Sequence, residues 1–251
     1  MKKTKYRFKF TGLLYLCLII LFLAMFIYSL YRIIEWKHNN GENKKINEIL
    51  HKYINTDSNE KFNIDFEKLE KINSDTTAYI KVNNTNIDYI VVKTDNNEFY
   101  LTHNFNKENN RSGWIFMDYS NKLDGTDKNI VIYGHNTVDK SMFGSLKYVL
   151  ESKWQENTDN YNIIFATKDS LDTYRVFSTY KIDNEDYYIK TNFNSDDEYL
   201  KFLKTIKSRS NYNYNVDVDE NDTIITLSTC SNNGKKRVVL HAKKVVQWFQ
   251  E

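Results

Sequence analysis

The spacing of apolar residues changes along this chain. Residues 11–31 form an uncharged run rich in Leu, Ile and Phe. As a helix rising about 1.5 Å per residue, that run crosses a hydrocarbon layer of roughly 30 Å. Between 43 and 72 the spacing becomes that of surface helices. Ile46, Ile49, Leu50, Tyr53 and Ile54, then Phe66, Leu69 and Ile72 behind a potential Asp65 cap, predict two short helices. Beyond residue 75 the pattern becomes strand-like, at 78–82, 87–93, 113–118, 129–133, 161–167, 172–180, 223–228 and 237–246. About eight short strands predict a mainly β fold, a barrel or a sandwich. Helical spacing returns at 141–150, through Met142, Leu146 and Val149. It returns again at 196–209, through Tyr199, Phe202, Leu203 and Ile206 behind Ser195.

Charge sets an orientation for the apolar run. Lys2, Lys3, Lys5, Arg7 and Lys9 precede it with no acid among them, so the positive-inside rule keeps the N-terminus cytoplasmic and sends the rest outside. A cleaved signal peptide shares this pattern. The run, however, exceeds the usual apolar core of about 7–15 residues, and no small-x-small cleavage site follows it. The expected organisation is a basic leader at 1–10, a transmembrane anchor at 11–31, a helical lead-in at 32–75 and a main folded domain at 76–251. Cys17 lies within the span behind Leu16 rather than a small residue, so it reads as a packing residue, not a lipidation site.

Composition narrows the outer part. Without its leader the chain is slightly acidic, because 35 Lys and Arg face 33 Asp and Glu overall; this excludes the basic excess that nucleic-acid binding needs. Proline is absent and glycine numbers 7, so turns fall to Asn and Asp. Neither a four-ligand zinc pattern nor a calcium loop is present, and no cofactor or metal is expected.

Cys230 is the single cysteine outside the apolar run, so a disulfide framework is excluded there. It follows the apolar strand pattern 223–228. His135 ends another, in Tyr133-Gly134-His135-Asn136, and Arg237 opens the last. A thiol, an imidazole and a guanidinium at strand ends are the parts of an acyl-transfer site: nucleophile, general acid and base, and oxyanion or backbone donor. Lys235 and Lys236 rival Arg237 by position, but Arg237 begins the Val-Val-Leu strand and has the planar donor set that such recognition uses. His38 and His51 fall in the helical lead-in, His103 in a loop and His241 on a strand, where structural roles are the default. Asn232 reads as loop.

Several further segments keep company with these residues in a fixed order: Asn73-Ser74-Asp75 with Ala78-Tyr79-Ile80, Asn86-Ile87-Asp88-Tyr89, Tyr100-Leu101, and Ile115-Phe116-Met117-Asp118-Tyr119. Tyr133-Gly134-His135-Asn136, Ser141-Met142-Phe143, Leu227-Ser228-Thr229-Cys230 and Arg237-Val238-Val239-Leu240-His241-Ala242-Lys243 complete the series. In this order the chain resembles a class B sortase over about residues 65–246. Ser74 and Ile90 stand where that family commonly has proline, and Trp114 where a small residue is usual. The segment from Ser231 to Lys236 is short for the class.

The resemblance implies a closed eight-stranded sortase barrel with N-terminal helices and a helix before the cysteine strand. It implies a cell-surface cysteine transpeptidase of the Gram-positive type, with Cys230, His135 and Arg237 as its catalytic residues. The enzyme would cleave a C-terminal sorting signal of the Asn-Pro-x-Thr or Ser-Pro-x-Thr kind after threonine. It would then pass the acyl group to an amine of the peptidoglycan precursor. Asn97, Leu101, Tyr188, Ile189, Ser228 and Thr229 match the peptide groove, although barrel packing equally accounts for Leu101, Tyr188 and Ile189. Two other functions stay open: a cysteine peptidase that delivers the acyl group to water, and an inactive module that only binds sorting signals.

Overall fold

The computed structural model describes residues 10–55, 63–183, 185–230 and 236–245. Lys2 to Lys9 of the leader, Asn232 and Lys235 lie outside them. Helix α1 (Phe10–Leu50) is continuous. The first of the two short helices expected after the apolar run is therefore the far end of that same helix, because nothing between Tyr31 and Leu50 breaks it and Gly41 meets no steric contact. Its apolar part is exposed along its length. Its later part buries Asn39, Asn40, Asn43, Ile46 and Leu50, a stripe at three- and four-residue spacing that faces the barrel. Ile49, by contrast, is exposed.

The stripe is mostly asparagine, and it docks by hydrogen bonds rather than apolar packing alone. Asn43 Nδ2 donates to the Gly113 carbonyl at 2.9 Å, Asn47 Nδ2 to the Asp88 carbonyl at 3.1 Å, and Asn40 Nδ2 to Asp139 at 2.7 Å. A two-stranded ribbon of β1 (Ile54–Asn55) and β2 (Asn63–Ile64) then leads to helix α2 (Phe66–Ile72). The expected Asp65 cap is present, its side chain accepting from Lys68 N at 3.1 Å.

The remaining strands are β3 (Thr76–Val82), β4 (Asp88–Val92), β5 (Phe116–Met117), β6 (Asn129–His135), β7 (Asn162–Ala166), β8 (Leu171–Asp183), β9 (Ile224–Cys230) and β10 (Lys236–Val245). They close into a barrel in the order β10-β8-β7-β3-β4-β5-β6-β9. The pairing of β6 with β9 is parallel, as is that of β4 with β5. Every residue of β6 is buried, as expected of a parallel strand covered on both faces. The helical spacing at 141–150 resolves into turns and a 3-10 segment, Leu146–Leu150. A short helix α3 (Ser152–Gln155) follows, and helix α4 (Asp196–Ser208) forms as expected, with Ser195 accepting from Glu198 N at 3.2 Å. Its buried Tyr199, Phe202, Leu203 and Ile206 pack with Phe177, Ile224 and Val239 outside the barrel.

Candidate functional site

The parallel register of β6 and β9 sets His135 opposite Cys230, each the last residue of its strand. Neighbouring strands lie about 4.8 Å apart, so two residues separated by almost a hundred positions become adjacent at one barrel end. Strand β10 runs antiparallel to β9 with Val239 opposite Ser228; two more steps along this register bring Arg237 level with Cys230. The three residues singled out from sequence thus converge on one rim.

His135 is held from several sides. Its Nε2 lies 2.7 Å from the Leu101 carbonyl, which only accepts, so Nε2 carries the hydrogen. Its backbone carbonyl accepts from Phe143 N at 3.0 Å. The Nδ1 atom is buried without a hydrogen-bond partner among the described residues. Burial pushes the imidazole below its ordinary value of 6.5, and the Leu101 contact opposes this in part. At neutral pH the ring is therefore neutral, with Nδ1 as the atom open to proton exchange.

Two glycines permit the close packing around this strand end. A Cβ on Gly134 would stand 2.5 Å from Ile115 Cδ1 and 2.7 Å from Phe143 Cγ. Gly113, at φ +57°, would carry a Cβ 2.3 Å from the Tyr100 carbonyl and 3.0 Å from His135 Cδ2. Both positions combine close approach with, at Gly113, a left-handed backbone.

Arg237 is half-buried and reaches Tyr188 Oη through an Nη at 3.5 Å, while its Nε is buried without a partner among the described residues. Tyr188 is fully buried, with its hydroxyl 2.9 Å from Ser228 Oγ. One phenol therefore links β9, β10 and the 3-10 segment Tyr187–Ile189.

The remaining sequence-derived residues divide into two groups. Ser228 and Thr229 adjoin Cys230 but point into packing: both are buried, and Thr229 Oγ1 accepts from Val238 N at 2.9 Å. Ile189 is partly buried against the core. Leu101 contributes its carbonyl to His135 as well as a half-buried side chain. Asn97 donates to Asp118 at 2.8 Å and accepts from Tyr119 N at 2.9 Å.

A cleft of about 570 Å³ opens beside His135, lined also by Leu101, Thr102, Ser112 and Thr137. Arg32, Glu35 and Trp36 of α1 and Arg111 also line it, and these were not anticipated from sequence. The three residues of α1 lie just past the apolar run, and no local pattern links them or Arg111 to a site on the barrel. The Leu101 carbonyl also escaped sequence reading, because a backbone acceptor leaves no residue-type signal.

A family model described as the sortase domain matches residues 80–245. The chain belongs to the sortase family. Sortase B of Staphylococcus aureus is 36% identical over 148 residues, covering 57% of this chain and 59% of that protein. Sortase B of Listeria monocytogenes is 35% identical over 153 residues, covering 59% and 61%. These matches span about three fifths of each relative's length. Among solved structures, a sortase B from Bacillus anthracis superposes with a TM-score of 0.74 at 33% identity, covering 84% of this sortase chain and 99% of that one. Sortase B of S. aureus gives 0.69 at 38% identity, covering 72% and 87%. Relatives and structural neighbours alike place this sortase in class B, and the closed eight-stranded barrel is the fold they share.

Proposed function

We propose that the chain is a membrane-anchored cysteine transpeptidase that attaches surface proteins to a cell-wall amine. The observation that carries this reading is the β6–β9 register, which sets His135 beside Cys230 at the ends of two parallel strands. In this reading Cys230 is the nucleophile. A free thiol, with a pKa of about 8.5, is mostly protonated near neutrality, and the neutral His135 takes its proton at Nδ1, since Nε2–H is committed to the Leu101 carbonyl.

The thiolate attacks the carbonyl of the threonine in an Asn-Pro-x-Thr or Ser-Pro-x-Thr signal. When the tetrahedral intermediate collapses, the peptide bond that follows the threonine breaks and the departing amine takes the proton from Nδ1, leaving a thioester on Cys230. An amine of the peptidoglycan precursor then attacks the thioester. It gives a proton to Nδ1, and the returning thiolate is reprotonated as the new amide forms. Arg237 donates to the oxyanion or to the substrate backbone, a contribution of about 3 kcal/mol for an oxyanion-hole donor. Leu101, Ile189 and Asn97 border the peptide groove. Tyr188, Ser228 and Thr229 support it from beneath, consistent with their burial.

The helix carrying residues 11–31 would hold this site at the outer membrane face, N-terminus inside, where the lipid-linked precursor and the secreted substrate share the bilayer. Its mean hydropathy of 2.7 over an 18-residue window and its complete exposure support a span. The full chain in detergent, incubated with quenched peptides of both signal types, tests the reading. Cleavage after threonine that disappears in Cys230→Ala, with a ligated product when an amine is supplied, is the expected result. Cleavage without ligation under any acceptor would make the chain a peptidase, and binding without cleavage an inactive module.

A further inference from the structure

We infer that the rim of the His135 cleft docks into the phospholipid headgroup layer, so that the site works at the membrane surface rather than above it. This rests on the reading of residues 11–31 as a membrane span. The argument begins with the continuity of α1, which runs as one helix from Phe10 to Leu50. On its outer side the apolar surface does not stop at Tyr31: Ile33 and Ile34 are 49% and 60% exposed, and Lys37 and His38 are the next exposed polar residues. The boundary between hydrocarbon and headgroups on that side therefore falls between Tyr31 and Lys37.

Arg32, Glu35 and Trp36 occupy the same level of the helix, and they line the cleft together with His135. From Tyr31 to Trp36 the helix rises about 7.5 Å, and less along the membrane normal if it is tilted. The headgroup region adds roughly 5–8 Å on each side of the hydrocarbon. The cleft wall thus lies inside that region.

The barrel cannot drift away from this level, because it is fastened to the helix directly above the span. Arg111 pairs with Glu35 at 3.4 Å, Asn110 Nδ2 donates to the Asn39 carbonyl at 3.1 Å, and Ser112 Oγ donates to Asn40. Val138, 82% exposed, also lines the cleft, an apolar side chain suited to the headgroup–acyl boundary. The chemistry of the rim matches the partner: Trp36 is an interfacial aromatic, and Arg32 and Arg111 offer guanidinium donors to lipid phosphates. A substrate held in the same membrane would meet the cleft from the side.

The test uses the full chain reconstituted in phospholipid vesicles, in a Cys17→Ser, Cys230→Ala background, with a fluorophore on one introduced cysteine. Val138→Cys reports on the rim, Ser208→Cys at the end of α4 serves as the distant control, and Leu23→Cys reports on the span. The expected result is several-fold stronger quenching of the Val138 site than of the Ser208 site by headgroup spin-labelled lipid. Inserting about seven alanine-rich residues between Tyr31 and Arg32, roughly 10 Å of helix, should return the Val138 site to the control level. Equal quenching at both sites, while the Leu23 site is quenched by acyl-chain labels, would overturn the docking and leave the anchor standing. An unquenched Leu23 site would remove the span and the docking together.

Discussion

His241 should make the fold acid-sensitive by a calculable amount. The ring is fully buried between β8 and β9, and its protonation is fixed by its neighbours. Asn129 Nδ2 donates to the carbonyls of Tyr188 and Lys190, so its Oδ1 is the acceptor for Thr226 Oγ1 at 2.6 Å. Thr226 has spent its one hydrogen and must accept from His241 Nδ1–H at 2.8 Å; Nε2 then accepts from the Tyr180 hydroxyl at 2.9 Å. A second proton on His241 would displace the hydrogen that Tyr180 donates to Nε2, and burial already pushes the ring down to about 3 from 6.5. The unfolded chain binds a proton through this window and the folded chain does not. Stability is therefore complete above about pH 6.5 and falls by about 1.4 kcal/mol per unit as pH drops towards 3. His241→Gln removes the titration and costs about 1–3 kcal/mol in lost buried hydrogen bonds. The variant should thus be less stable than the parent at pH 7.5, and the gap should close by about 2 kcal/mol between pH 6.5 and 5. Urea titrations followed by the fluorescence of buried Trp114 and Trp154, at a series of pH values, measure both curves. Because the two proteins share every carboxylate, their difference isolates His241. A difference that stays constant with pH would refute the argument.

Other substitutions test the site. Tyr188→Phe takes away the hydroxyl shared by Ser228 and Arg237; kcat/KM should drop about tenfold, in line with one lost hydrogen bond of about 1–1.5 kcal/mol, and an unchanged value would dissociate Tyr188 from Arg237. Gly134→Ala drives a Cβ into Ile115 and Phe143. It should lower stability by about 1–3 kcal/mol through overpacking and reduce turnover by displacing His135, both visible in a melting scan and a peptide assay. The burial that lowers the His135 pKa predicts that the acid limb of a kcat/KM–pH profile lies below 6.5, and a limb above that value would contradict a neutral resting imidazole.

The barrel was legible in the sequence because its strands carry strong local patterns between Asn- and Asp-rich turns: each of the eight expected runs overlaps an observed strand. The convergence of His135, Cys230 and Arg237 was legible only in part. Their positions at strand ends could be read, but the parallel β6–β9 pairing that joins them is a non-local contact, which no window of sequence encodes. Helix α1 shows the opposite difficulty. Its apolar half and its Ile46–Leu50 turn were each recognisable, yet the segment between them buries asparagines, which read as surface residues until their partners on the 110–113 loop are known.

The departures from the family pattern show how such hidden contacts operate. Ile90 and Trp114 looked like independent substitutions, one replacing a common proline and the other a small residue. In the fold they meet: Trp114 Nε1 donates to the Ile90 carbonyl at 2.8 Å, and the indole is fully buried against Tyr89 and Phe105. A buried indole N–H needs an acceptor, and a large side chain beside Gly113 needs the space that its neighbours leave. Restoring a small residue at Trp114 alone would therefore open a cavity behind β4, with a loss of about 3–5 kcal/mol for Trp114→Ala. The rim lies one strand away, so this change should disturb the Gly113 loop, which carries the contact to Asn43 of α1 and lies against His135. Loss of stability with no change in the site's reactivity would show that the loop is held by α1 rather than by the core beneath it.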